Sequence, residues 1–182
     1  MTNIFLVGFM GCGKSTIGKM LAQELGLQLV DMDAVIEEQQ QMAISQIFAT
    51  KGENAFREIE KDTLHILGKK EKLLIATGGG APCFFDNMEW MNQYGITIYL
   101  KMSAKALAHR LMSLSEKARL SRPLLAGKTE SELAEYIEKT LKIREPFYGK
   151  SRIVILTDDI NPQTTVSRIM TALNMMQAAK KV

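Results

Sequence analysis

Residues 3–16 read Asn-Ile-Phe-Leu-Val-Gly-Phe-Met-Gly-Cys-Gly-Lys-Ser-Thr, an apolar run that breaks into glycines and ends on Lys-Ser-Thr. Every fixed position of the phosphate-binding pattern G-x-x-x-x-G-K-[ST] is matched, by Gly8, Gly13, Lys14 and Ser15. Residues 4–7 have the apolar run of a buried strand, and residues 16–25 have the apolar spacing of a helix. The order strand, loop, helix therefore predicts a phosphate-binding loop rather than a chance glycine-rich turn.

A loop of this composition suits the phosphates of a nucleoside triphosphate. Glycines let backbone N–H groups curl around phosphate oxygens, and the positive N-terminal end of the next helix points at the same anion. We expect Lys14 to reach the β- and γ-phosphates and the Ser15 hydroxyl to bind Mg²⁺. The loop residues expected to contact the nucleotide are Gly11, Cys12, Gly13, Lys14, Ser15 and Thr16.

Composition limits the classes of partner. The chain of 182 residues is 46% hydrophobic and 24% charged, which suits one ordinary globular domain over residues 1–182. A net charge of +3 is far from the dense basic stripe of a nucleic-acid binder, so no nucleic acid is expected. No apolar run approaches the ~20 residues that cross a bilayer. We therefore expect a cytoplasmic protein without a membrane partner. A monomer is also expected.

Five apolar strands alternate with helical stretches along the chain. This alternation predicts a three-layer α/β/α domain with a five-stranded parallel sheet. The strands are expected at residues 4–7, 27–30, 73–77, 96–100 and 153–156. A break at Gly52 is expected within the helical stretch 42–69, and capping boxes are expected at Asp86 with Glu89 and at Thr129 with Glu132.

Two acids follow the second predicted strand, at the sheet edge where open parallel sheets bind ligands. Asp31 could hold water on Mg²⁺, and Asp33 could face the substrate. Alternatively, an acid here is the N-cap of a helix over residues 34–40. Capping does not exclude a ligand role, so both interpretations can hold.

Two further segments are candidates for ligand contact. Gly78-Gly79-Gly80 follow the third strand, and we favour a ligand-facing wall over a simple turn. Residues 113–127 do not keep the helical spacing of apolar residues and are basic, which is typical of a mobile active-site lid. Arg119 and Arg122 are its candidate phosphate contacts, with Arg122 preferred because it precedes Pro123; the alternative is a solvated loop.

Phosphate loops serve kinases, switches and motors alike. The Asn-Lys-x-Asp sequence with which switch GTPases read their base is absent. A small stand-alone domain with a lid and spare arginines is best suited to phosphorylating a small anionic molecule, since phosphoryl transfer needs mainly positioning and charge neutralisation.

The chain resembles the shikimate kinase family from end to end. The resemblance rests on motifs in the family's order, namely residues 8–16, Asp31-Met32-Asp33, Ile47-Phe48-Ala49, Gly52-Glu53, residues 56–60, residues 78–80, Arg122-Pro123-Leu124-Leu125, and Arg144 with Pro146 and Tyr148. It implies that ATP phosphorylates the 3-hydroxyl of shikimate, which gives 3-phosphoshikimate and ADP on the chorismate route to aromatic amino acids.

The resemblance also implies roles for single residues. Asp33 would bind the ring hydroxyls and draw the proton from the attacking one, while Arg57 and Arg144 would clamp the carboxylate. Taken without the resemblance, a lone arginine such as Arg57 is usually surface charge. The same pocket would be lined by Gly79 and Gly80 and walled by Phe48 and Phe56.

On the nucleotide side, the resemblance implies that Arg122 closes with the lid onto the ATP phosphates. Lys14 would neutralise charge on the transferring group, and adenine would sit between Arg110 and Pro162. Two alternatives stay open at this point: a related small-molecule or nucleotide kinase, and an ATP-binding regulator without catalytic activity.

Overall fold

The computed structural model describes residues 2–114, 128–158 and 161–179. Its five strands are β1 (Asn3–Val7), β2 (Gln28–Asp31), β3 (Leu73–Ala76), β4 (Gly95–Lys101) and β5 (Ile153–Leu156). Its helices are α1 (Lys14–Leu25), α2 (Met32–Gln40), α3 (Ile44–Gly68), α4 (Asn87–Tyr94), α5 (Ala104–Met112), α6 (Glu130–Tyr148) and α7 (Pro162–Ala179), with a 3₁₀ turn at Ala81–Cys83.

The five strands form one sheet in the order β2-β3-β1-β4-β5, and all neighbouring strands are parallel. Helices cover both faces of the sheet. Two successive residues of β1 show this, because their side chains point to opposite faces. Phe5 meets Trp90 of α4 edge-on, with 6.4 Å between ring centroids. Leu6 faces α1, where a Cβ built on Gly18 would lie 3.3 Å from its Cδ1. The predicted parallel sheet between two helical layers is confirmed.

The strand register gathers the ligand-binding loops at one edge. Ala76 at the end of β3 pairs with Asp31 at the end of β2 and with Leu6 near the end of β1. The carboxyl ends of three neighbouring strands therefore lie side by side. The segments that leave them, residues 8–13, 32–33 and 77–80, begin at the same edge of the sheet.

Two of the three predicted local signals are present in the structure, and one is absent. Gly52 breaks α3 with a positive φ of 80°, and the Thr129–Glu132 capping box forms. Asn161 caps α7 by accepting a hydrogen bond from the backbone N–H of Thr164 at 2.8 Å. The capping box expected at Asp86 is wrong: its side chain caps nothing, and Glu89 instead pairs with the Lys150 ammonium at 2.6 Å.

Within the described ranges, no helix is both long enough and apolar enough to cross a membrane.

Candidate active site

A cleft of about 730 Å³ opens at the carboxyl edge of β1, β2 and β3. Fourteen of the residues given a nucleotide or acceptor role from the sequence line it: Gly11, Gly13, Lys14, Ser15, Thr16, Asp31, Asp33, Phe48, Phe56, Arg57, Gly79, Gly80, Arg110 and Arg144. Segments more than 100 residues apart in the sequence thus share one cavity.

The phosphate loop has a backbone shape that only glycine adopts readily. Gly8, Gly11 and Gly13 have φ values of 146°, 82° and 104°, all in the positive region. Helix α1 begins at Lys14 without a side-chain cap, and its first N–H with a partner inside the helix is that of Ile17, which bonds to the Gly13 carbonyl. The N–H groups of residues 14–16 are therefore available to an anion at the helix N-terminus.

Lys14 lies along this loop. Its ammonium donates to the backbone carbonyls of Gly8 at 2.8 Å and Phe9 at 3.1 Å, while the side chain lines the cleft. The positive charge of Lys14 therefore lies beside the backbone of the phosphate loop, where both would suit the phosphates of a triphosphate.

The two acids after β2 lie in different environments. Asp31 is the N-cap of α2, and its Oδ1 accepts from the Asp33 N–H at 3.1 Å, so the capping interpretation holds for an acid that also lines the cleft. Burial and the neighbouring Asp31 carboxylate raise the pKa of Asp33, against the opposing charges of Lys14 and Arg57. Asp33 consequently takes up a proton more readily than an ordinary aspartate.

Arg57 is buried, at 8% exposure, so its interpretation as surface charge is wrong. Its guanidinium donates to Glu60 at 2.7 Å and to Glu53 at 3.1 Å. One face of the group stacks on Phe84, with 4.0 Å between Cζ and the ring centroid, and Phe56 lies 5.1 Å away. Two carboxylates and two rings therefore fix the orientation of this arginine.

Glu60 is a site residue that the sequence analysis assigned no role. It is 1% exposed, and burial raises its pKa although the Arg57 guanidinium opposes the shift. The signal lies in the helical spacing: Glu60 falls on the stripe of Phe56, Thr63 and Leu67, all of which are buried. An acid within an apolar stripe and three residues from an arginine indicates a buried ion pair.

Arg144 approaches the same region from α6. It is half-buried and lies over the Phe9 ring, with 5.6 Å between Cζ and the centroid. Among the residues that the structure describes, no carboxylate lies within 4.0 Å of its guanidinium. Within the described ranges, Arg144 therefore has no carboxylate in ion-pair contact, whereas Arg57 has two.

The three glycines after β3 make room for these charged groups. A Cβ at Gly78 would lie 2.6 Å from Glu60 Oε1, and one at Gly80 would lie 2.7 Å from an Arg57 guanidinium nitrogen. A Cβ at Gly79 would lie 3.5 Å from the Arg144 guanidinium. The segment does line the cleft, and its lack of side chains lets the acceptor-side charges pack against it.

The remaining described residues that are predicted to contact the nucleotide lie in the cleft or in a small pocket beside it. Cys12 and Pro162 line a small adjoining pocket, and Arg110 borders both this pocket and the main cleft. The Arg110 guanidinium comes within 3.6 Å of a Cβ built on Gly13. Phe48 and Phe56 form an apolar wall, with 4.5 Å between ring centroids. Arg119 and Arg122, like most of the predicted lid, lie outside the described residues.

A phosphate loop, a carboxylate beside it and two arginines across the same cleft define a P-loop kinase that acts on a small anionic molecule. A model of the family described as shikimate kinase matches residues 10–174. The shikimate kinase of Parabacteroides distasonis is 48% identical over 95% of this chain and 98% of its own. The chain belongs to the shikimate kinase family, whose members are ATP-dependent kinases.

Solved structures agree with this assignment. A shikimate kinase from Bacteroides thetaiotaomicron has a TM-score of 0.85 and 35% identity, and covers 100% of this chain and 99% of its own. The shikimate kinase from Acinetobacter baumannii in complex with shikimate also has a TM-score of 0.85, at 33% identity, and covers 96% of this chain and 94% of its own.

The buried Arg57–Glu60 pair yields a prediction about pH. In Arg57→Met, Glu60 loses its attractive partner while staying buried, so its pKa rises further. A carboxyl whose pKa is raised by folding stabilises the fold when protonated, and that stability is lost as the pH rises through the folded pKa. The free energy of unfolding of Arg57→Met should therefore fall between about pH 5 and about pH 8. It should fall by more than that of the double variant Arg57→Met/Glu60→Gln, which lacks the titrating carboxyl. Urea denaturation of both variants measures this, and an equal pH dependence in the two would contradict it.

Proposed function

We propose that this protein transfers the γ-phosphoryl group of ATP to the 3-hydroxyl of shikimate, producing 3-phosphoshikimate and ADP for chorismate and aromatic amino acid biosynthesis. The observation that carries the proposal is the position of two guanidinium groups, Arg57 and Arg144, in the same cleft as the phosphate loop. Membership of the family and the shikimate complex of the Acinetobacter baumannii relative support it.

The two arginines would bind the acceptor carboxylate in different ways. Glu53 and Glu60 already offset the charge of Arg57, so its contribution is mainly a fixed pair of donors. Arg144 has no such partner in the described part of the chain and would supply most of the net attraction. Phe48 and Phe56 would pack against the ring, and Gly79 and Gly80 would line the pocket beside the carboxylate.

Asp33 would bind the ring hydroxyls and accept the proton of the attacking 3-hydroxyl. Its raised pKa suits this role, because a base is most effective when its pKa approaches the working pH. As the oxygen attacks the γ-phosphorus and the bond to the β-phosphate oxygen breaks, Lys14 and the N-terminal amides of α1 would stabilise the charge on the phosphates. Positioning and charge neutralisation account for catalysis of this kind.

On the nucleotide side, Ser15 and Asp31 fit Mg²⁺, which is commonly held by one or two protein oxygens together with substrate phosphates. Both line the cleft, and capping uses only one of the two Asp31 carboxylate oxygens. When bound, the ion would neutralise charge on the β- and γ-phosphates. Adenine would lie between Arg110 and Pro162, which border one small pocket.

Three further statements are sequence-based proposals. Arg122 would contact the ATP phosphates from a lid over about residues 113–127. The protein would act as a monomer, which is supported by a cleft whose two sides come from one chain. It would work in the cytoplasm on a small molecule, without nucleic-acid or membrane partners.

The function is tested by ADP formation with purified protein and Mg-ATP. Adding shikimate should raise the rate at least a hundredfold over the acceptor-free rate, since oriented reactants replace slow hydrolysis. The matched control is gluconate, a carboxylate-bearing polyol that should leave the rate at its basal level. Equal rates with and without shikimate would reject the proposal, as would phosphorylation of gluconate alone.

Arg144→Ala should weaken shikimate binding by ~2 to 5 kcal/mol, because it removes a positive charge that would pair with the carboxylate. The KM for ATP should change little, since Arg144 lies on the acceptor side. Lys142→Ala is the matched control, an exposed cation on the same helix that pairs with Glu138 at 3.5 Å. Steady-state kinetics against both substrates measure the effect. An unchanged shikimate KM in Arg144→Ala would remove that residue from the clamp.

A further inference from the structure

Tyr148 is the last residue of α6 and is fully buried, at 0% exposure. Its hydroxyl donates a hydrogen bond to the backbone carbonyl of Gly79. Burial raises the pKa of Tyr148, so the phenol keeps the proton that this bond requires. The end of α6 is therefore tethered to the glycine segment that lines the cleft.

Gly79 lies between the two halves of the site. A Cβ built on it would lie 3.5 Å from the Arg144 guanidinium, and 3.6 Å from both the Gly8 carbonyl oxygen and the Met10 amide nitrogen of the phosphate loop. The backbone at Gly79 thus separates the acceptor-side arginine from the nucleotide loop. A shift of this backbone would change the distance between them.

The helix turn that carries Arg144 lacks one backbone hydrogen bond. Pro146 lies inside α6 and has no N–H, so the carbonyl of Lys142 loses its usual partner within the helix. Tyr148 is four residues beyond Arg144 and so lies on the same face, one turn further on. A tether at Tyr148 therefore restrains the turn in which the proline has removed a backbone bond.

We propose that Tyr148 is a positioning residue for the acceptor: its hydroxyl fixes Gly79 and the last turn of α6, and thereby places Arg144 relative to the phosphate loop. This inference rests on the proposed function. Tyr148 is not among the residues that line the cleft, so it would act through Gly79 and Arg144. Removal of the hydroxyl leaves the aromatic packing intact but frees the Gly79 carbonyl and the helix end to move.

The neighbouring Tyr99 on β4 offers a matched control. Its ring packs against that of Tyr148, with 5.0 Å between centroids, and it is 2% exposed. Burial raises the pKa of Tyr99, with further contributions from Glu145 and Tyr148. Tyr99→Phe removes a second buried hydroxyl from the same ring pair, while the bond to Gly79 remains.

The test is steady-state kinetics of Tyr148→Phe and Tyr99→Phe, each measured well below its own unfolding temperature. Tyr148→Phe should raise the KM for shikimate about fivefold, because Arg144 is no longer held in place before the acceptor binds, with kcat and the KM for ATP within about twofold of wild type. Tyr99→Phe should leave all three within about twofold.

Two outcomes would overturn the inference while the proposed function stands. One is that wild type phosphorylates shikimate and the shikimate KM of Tyr148→Phe stays within twofold of the wild-type value. The other is an equal change of all three constants in both variants, which would indicate a general packing role. A wild-type protein with no activity on shikimate would instead reject the proposed function, and this inference with it.

Discussion

The part of the cleft proposed to bind the acceptor depends on one buried ion pair, that of Arg57 with Glu60. Taking both charges out of water is costly, and such a pair persists only when its geometry and further hydrogen bonds are good. Glu53, the Phe84 ring and the absence of side chains at Gly78 and Gly80 supply these conditions. The result is a guanidinium whose position is set before any ligand arrives, which lowers the ordering cost of binding.

The nucleotide half depends on backbone rather than on side chains. Three positive-φ glycines shape the loop, and α1 begins directly after it with its first N–H groups unpaired within the helix. Parallel strands place this helix end beside Asp31 and Asp33, because β1 and β2 both flank β3. A rigid anion site and a preset guanidinium thus lie across one cleft, an arrangement suited to phosphoryl transfer by positioning.

Patterns of local origin were predictable from the sequence. The phosphate loop, the five strands and the break at Gly52 each follow from periodicity or glycine chemistry, and the structure agrees. The capping box predicted at Asp86 does not form because a local capping pattern competes with tertiary contacts. Here Glu89 pairs with Lys150 instead. Glu60 was missed although it lies on the buried helical stripe of Phe56, Thr63 and Leu67, because a carboxylate is by default expected on the exposed face of a helix. Gly78 to Gly80 were recognised as a wall, but the charged groups that need their space became visible only in the fold.

The central claim is that a carboxylate-bearing acceptor binds between Arg57 and Arg144 with a hydroxyl turned toward the phosphate loop. A crystal structure of the protein with shikimate and ADP tests this most directly. The account predicts the shikimate carboxylate within hydrogen-bond distance of both guanidinium groups and a ring hydroxyl within hydrogen-bond distance of Asp33. Shikimate bound elsewhere, or held with its carboxylate away from both arginines, would contradict it.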